Sequence, residues 1–237
     1  MSPSRSSIEK GESLLNTVLT LQAMGANILV IRHPHSGAPY FAARHLNSTS
    51  VINAGDGWHA HPSQALLDLY TIKERLGRIE GLKVVIVGDV LHSRVARSNL
   101  WGLTTMGAKV TLCGPPTLLP PYSPDNDSSP TGIASVQIDT NLDRAIEGAD
   151  VVIALRLQLE RQNTSFFPSL REYTRRWQIN EERLQRAKPQ ILVAHPGPIN
   201  EGIELSPQVA HGVHSLIETQ VTNGVAIRMA LLYHLSN

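Results

Sequence analysis

Short β-branched apolar runs alternate along the chain with longer stretches of helical period, a pattern that predicts βα units around a parallel sheet. Residues 26–31, 50–53, 83–88, 109–114, 151–155 and 190–194 read as strands. Residues 12–24, 38–46, 62–76, 93–106, 142–147 and 180–187 read as helices, and a last helix runs from about 218 to 235. Pro62 suits a first helical position, and Gly25, Gly77 and Gly107 stand where a left-handed C-terminal cap is needed. The proline-rich stretch 115–132 offers nothing that packs as helix or strand and reads as a surface loop. A boundary near residues 77–81 divides the chain into 1–78, to which the last helix (218–237) returns, and 79–217. The expected class is α/β, with two parallel-sheet βα domains.

Composition narrows the function classes. Lys plus Arg (21) nearly balance Asp plus Glu (20), leaving a formal charge of +1, so no diffuse field favours nucleic acid or an anionic membrane. Anion binding must then be local. The single cysteine, Cys113, has no partner for an internal disulfide, which suits a reducing, cytoplasmic setting. The first ten residues contain no apolar leader core, and no apolar run reaches the roughly 18 residues of a membrane span, so a soluble, unprocessed chain is expected.

Four polar clusters follow predicted strands or open helices, where α/β sheets place ligands. Arg32 in Ile31-Arg-His-Pro34 closes what reads as a buried strand and offers a forked donor to phosphate or carboxylate; the plain alternative is a surface arginine paired to a nearby acid. The loop from Asn53 to His61-Pro-Ser-Gln64 enters a helix, where His61 can donate to a polarised carbonyl oxygen and Gln64 can bind an amide. His59 and His61 lack a third ligand at metal spacing, so no metal is expected. In Gly88-Asp89 with Ser93-Arg94-Val-Ala, neither a dinucleotide glycine spacing nor a P-loop ending occurs. Arg94 sits at the positive end of a helix, a conflict that a bound anion would resolve. The fourth cluster is Arg156-Leu-Gln158, whose two polar residues share a face if the strand continues; a related loop is His195-Pro196-Gly197-Pro198. No serine nucleophile with a base, paired carboxylates or cofactor lysine stands out. The implied chemistry is direct transfer between two acidic metabolites, driven by positioning and electrostatics.

These motifs, in this order and spacing over essentially the whole chain, resemble the aspartate/ornithine carbamoyltransferase family, and within it the aspartate branch. The ornithine branch's cysteine in the His-Pro element, its Ser-Met-Gly set and its late His-Cys-Leu-Pro do not occur. The resemblance implies carbamoyl transfer from carbamoyl phosphate to the amine of L-aspartate, giving N-carbamoyl-L-aspartate and phosphate in pyrimidine (UMP) biosynthesis, with no cofactor. It implies that Arg32 holds phosphate, His61 polarises the carbonyl, Gln64 and the Pro196-Gly197 backbone bind the carbamoyl end, and Arg94, Arg156 and Gln158 grip aspartate. It assigns Ser6 and Lys10 to a loop that reaches a neighbouring subunit's site, and hence a homotrimer with shared active sites, with regulatory or dihydroorotase chains as further partners.

Two departures from the family pattern stand out. Family members begin well upstream, with a Ser-Thr-Arg-Thr phosphate loop that is not found in this sequence. The first domain is therefore expected to be incomplete, with an uncovered sheet edge, and the 237-residue chain alone to turn over poorly; a start site placed too late would explain it. Glu201 stands where the family usually carries arginine. Two rival readings are a shortened, non-catalytic paralogue serving as partner in a pyrimidine-synthesis assembly, and a carbamoyltransferase for another amino acid.

Overall fold

The computed structural model describes residues 13–121, 136–157 and 169–236. Two parallel sheets organise them. The first pairs β1 (Ile28–His33) with β2 (Ser50–Asp56), flanked by α1 (Leu14–Ala23) and α2 (Ala38–His45). The second has the order β5-β4-β3-β6-β7, built from β3 (Lys83–Val87), β4 (Lys109–Cys113), β5 (Gln137–Asp139), β6 (Val151–Ala154) and β7 (Leu192–Ala194). Between the sheets in sequence lies α3 (Pro62–Leu76), and α4 (Arg94–Thr105) follows β3. Short helices α5 (Leu142–Ala145), α6 (Leu170–Trp177), α7 (Glu181–Leu184) and α8 (Pro207–Ala210) pack around the second sheet, and α9 (Ile217–Ser236) ends the described chain.

The second sheet is buried on both faces, which its runs of Val and Ile require. Side chains alternate across the pleat: Val84 and Ile86 join Leu69, Ile72, Leu100 and Leu103 of α3 and α4, whereas Val85 and Val87 join Tyr173, Trp177 and Leu205. The first sheet has a small core of Val18, Ala42 and Leu46, and no residue of β1 is fully buried. This corrects the expectation of a buried strand ending at Arg32: the strand runs on to His33, and Arg32 is exposed. Among the described residues, no helix is long and apolar enough to cross a membrane.

Helix boundaries follow local chemistry. Pro62 is the first residue of α3, and Gly77 ends that helix with φ +74°. Ser93 caps α4 by accepting from the Ala96 N–H. Three elements escaped the sequence pattern: β5, α6 and α8. The stretch 115–132 also needs correction in its first part. Residues 116–118 form a 3-10 turn, and Leu118 and Leu119 are buried against the core, while residues beyond 121 fall outside the described chain. α9 lies along α3, burying Gln220, Asn223 and Gly224 in the contact.

The loops that begin at the ends of β3 and β4 are packed backbone to backbone, since a Cβ at Gly114 would lie 2.5 Å from the Gly88 carbonyl oxygen. Gly114→Ala is therefore expected to lower the urea midpoint, corresponding to a loss of about 1–3 kcal/mol. An unchanged midpoint would show that these loops can separate freely.

Candidate active site

β2 does not stop at Asn53 but runs to Asp56, so what read as a loose loop before His61 begins as ordered strand. Asp56 is buried and organises the turn. Its carboxylate accepts from Asn53 Nδ2 (2.8 Å), the Gly37 N–H (2.6 Å) and the Ala60 N–H (3.1 Å), and meets His59 Nδ1 at 3.0 Å. Burial works to raise its pKa, but the hydrogen bonds from Asn53, Gly37 and His59 outweigh burial and hold the carboxyl below the usual range. The turn delivers His61 to the start of α3, where its N–H donates to Ser98 Oγ of α4 at 2.8 Å. One side-chain contact, with Ser63 Oγ at 3.4 Å, engages Nδ1 at the long limit of a hydrogen bond.

Three arginines from three elements act on that imidazole. Burial, then the charges of Arg94, Arg32 and Arg228, lower its pKa to about 4. Arg94 is the first residue of α4, as its sequence position predicts, and it reaches back to β2. Its Nη1 lies 3.4 Å from the Gly57 carbonyl, and its guanidinium fills the space that a Cβ at Gly55 would occupy. Arg228, on α9, carries no sequence signal beyond lying in a helix, and sequence reasoning missed it.

Behind His61 lies a buried polar chain. Gln64 Nε2 donates to Asp68 Oδ1 (3.0 Å), which also accepts from Gln220 Nε2 (2.7 Å), while Asp68 Oδ2 accepts from Asn99 Nδ2 (2.7 Å). Gln220 Oε1 accepts the His195 N–H at 3.0 Å, so the Pro196-Gly197 loop is tied through two side chains to Gln64. Sequence reasoning missed both Asp68 and Gln220, although Asp68 stands four residues after Gln64 on the same helix face. His195 Nδ1 accepts the Gly197 N–H at 2.9 Å, which leaves its proton on Nε2. Burial and the charge of Arg156 lower its pKa to about 4.

Arg156 follows β6 and so lies beside His195. Its neighbour Leu157 is held by Glu204, a buried carboxylate that accepts the Leu157 N–H (2.8 Å) and the Asn200 N–H (2.9 Å). Glu201 meets His211 across an exposed 3.2 Å contact, a local pairing for the departure at that position. Arg32 and Arg94 are thus within electrostatic reach of His61, Gln64 is tied to the Pro196-Gly197 loop through the buried chain, and Arg156 is within electrostatic reach of His195. Ser6, Lys10 and Gln158 lie outside the described residues. A largely apolar cavity between α3 and α4, lined by Leu66, Leu69, Leu100 and Trp101, includes none of Arg32, His61, Gln64, Arg94 or Arg156 in its wall.

Residues 1–74 match the family model for the aspartate/ornithine carbamoyltransferase carbamoyl-P binding domain, and residues 80–235 match the model for the Asp/Orn binding domain. The chain is 62% identical over 231 residues to the aspartate carbamoyltransferase catalytic subunit of Roseiflexus sp. (strain RS-1), covering 98% of this chain and 71% of that one. It is 59% identical over 228 residues to the corresponding subunit of Heliobacterium modesticaldum, covering 96% and 70%. Among solved structures, aspartate transcarbamoylase from Trypanosoma cruzi in complex with carbamoyl aspartate and phosphate superposes with a TM-score of 0.83 at 31% identity, covering 98% of this chain and 73% of that chain.

The depressed histidine pKa gives a direct test. The folded state binds the His61 proton at about pH 4 and the unfolded chain near 6.5, so this residue withdraws stability as pH falls from 6.5 to 4. By NMR, the His61 ring is expected to keep its neutral-form shifts from pH 7.5 down to pH 5; a midpoint above 6 would contradict the arrangement.

Proposed function

Because the chain belongs to the aspartate/ornithine carbamoyltransferase family, we propose that it transfers the carbamoyl group of carbamoyl phosphate to the amine of L-aspartate, giving N-carbamoyl-L-aspartate and phosphate, a step of pyrimidine synthesis. The observation that carries the assignment to these residues is a histidine kept neutral among three guanidinium groups. A neutral imidazole donates a hydrogen bond to a carbonyl oxygen without adding another positive charge, and the guanidiniums favour anionic substrates.

In this reading Arg32 holds the phosphate and His61 donates to the carbonyl oxygen. Gln64 gives its Nε2–H to Asp68 and so turns its Oε1, an acceptor, toward the carbamoyl NH2. Backbone carbonyls at Pro196 and Gly197 accept the second N–H. Arg94, Arg156 and Gln158 hold the carboxylates of aspartate. The uncharged amine attacks the carbonyl carbon with its lone pair, and the tetrahedral intermediate places negative charge on the oxygen that His61 faces. The C–O bond to phosphate then breaks, phosphate leaves with the electron pair, and the amine proton passes to it. Ser6 and Lys10 complete a neighbouring subunit's site in a homotrimer, which regulatory or dihydroorotase chains could join. In the same reading the chain divides near residues 77–81, with carbamoyl phosphate bound by the first unit, including α9, and aspartate by the second.

Turnover in the full-length enzyme tests this by measuring carbamoyl aspartate formed from the two substrates. His61→Ala should lower kcat about 10²- to 10³-fold, as expected for losing one donor to a developing oxyanion. Arg156→Ala should raise the aspartate KM by about tenfold or more while leaving the carbamoyl phosphate KM nearly unchanged. Carbamoylation of ornithine in preference to aspartate would overturn the substrate assignment.

A further inference from the structure

The carbamoyl group differs from an acetyl group only in carrying NH2 where acetyl carries CH3, so an enzyme that distinguishes them must present acceptors to those two N–H bonds. Under the functional reading above, on which this inference rests, the acceptors are Gln64 Oε1 and a carbonyl of the Pro196-Gly197 loop. A side-chain amide can present either its oxygen or its nitrogen, and only a partner on the far side decides which. One carboxylate oxygen makes that decision here: Asp68 Oδ1 accepts from Gln64 Nε2 and also from Gln220 Nε2, whose Oε1 in turn accepts the His195 N–H. Both acceptor groups are therefore anchored to one atom, contributed by none of the groups assigned to touch substrate.

We propose that Asp68, acting through Gln64 and Gln220, is the positioning residue that makes the site select a carbamoyl phosphate over an acetyl phosphate. Without the carboxylate, Gln64 can turn its NH2 toward the ligand's NH2, setting donor against donor. An acetyl group makes no such demand and is bound through its phosphate and carbonyl alone. The chemistry of the buried cluster fits this role better than a purely stabilising one. Asp68 is 1% exposed, and burial, opposed by the bonds from Asn99, Gln220 and Gln64, raises its pKa to about 6. Keeping it ionised at pH 7 thus costs stability, a cost that fades as pH falls from about 6 toward the unfolded value of 3.8.

The test uses the full-length enzyme, with carbamoyl phosphate as substrate and acetyl phosphate as a competitive inhibitor. Asp68→Leu, which keeps the bulk and removes the acceptors, should raise the carbamoyl phosphate KM about tenfold or more, while the acetyl phosphate Ki and the aspartate KM shift by less than about threefold. Asp68→Asn should restore the carbamoyl phosphate KM to within about threefold of wild type, since its oxygen still accepts from Gln64 and Gln220. Its new NH2 can donate to Asn99 Oδ1, a buried atom without a hydrogen-bond partner among the described residues, once that amide turns over. If Asp68→Leu does not fold, Gln220→Met is read in the same way, with a smaller rise in the carbamoyl phosphate KM and an unchanged acetyl phosphate Ki. Equal loss of affinity for both acyl phosphates, or failure of Asp68→Asn to rescue, would overturn the inference while leaving the functional reading intact. Absence of carbamoyl aspartate turnover in the wild type would overturn both.

Discussion

A carboxylate removed from water needs donors, and Asp68 finds three amide N–H groups, one each from α3, α4 and α9. That requirement fixes how the helices meet. α3 belongs in sequence to the first sheet, α4 follows the second, and α9 arrives from the end of the described chain, yet all three converge on one side chain. The seam continues a turn further, where Asn223 of α9 donates to Thr71 Oγ1 at 3.1 Å and to Glu74 Oε2 at 2.8 Å. Apolar packing would hold the same helices together with more tolerance for sliding, whereas paired donors and acceptors specify a single register.

Register matters because the proposed chemistry is spread over elements that would otherwise move independently. His61 is delivered by the β2 turn and bonded through its backbone to Ser98 on α4, while the His195 loop hangs from Gln220 on α9. Arg156 is placed by β6 and steadied through its neighbour, which Glu204 holds from the other side. Two of the groups proposed to face the substrates are thus braced from behind by a buried carboxylate, Gln64 by Asp68 and Arg156, through its neighbour Leu157, by Glu204. Asp56, Asp68 and Glu204 are each 1% exposed, whereas Arg32 and Arg228 are open to solvent.

This layering explains what was legible in the sequence. Elements with a strong period, such as β3, β4, α3 and α4, are set by their own side chains, and their positions follow from the pattern to within a residue or two. The clusters at their ends were legible because Arg32, His61 and Arg94 stand at strand or helix termini. What stayed hidden depends on distant partners. Asp68 and Gln220 look like ordinary polar helix positions until the two helices, 152 residues apart along the chain, are brought together. α6 was missed because half of its sequence, Leu170-Arg-Glu-Tyr-Thr-Arg-Arg-Trp177, is charged, although Tyr173 and Trp177 one turn apart anchor it. Its start did carry a signal in Ser169 three residues before Glu172, a capping pattern confirmed by the bond from the Glu172 N–H to Ser169 Oγ. β5, three residues long at a sheet edge, exists only because β4 offers it a ladder.

Arg94 carries the remaining physical tension. A cation in the first turn of a helix opposes the macrodipole by about 0.3–1 kcal/mol. Its guanidinium occupies the space beside Gly55, a residue at φ +114° whose Cβ, were there one, would lie 2.8 Å from Arg94 Cζ. The preference of the helix dipole is therefore overridden to bring this charge against the turn that carries His61. Burial of the imidazole, and after it the charges of Arg94, Arg32 and Arg228, lower its pKa to about 4. Guanidinium groups gathered around one point favour an anion among them. In the proposed reaction the same charges that help depress the histidine pKa would stabilise negative charge developing on the oxygen it faces.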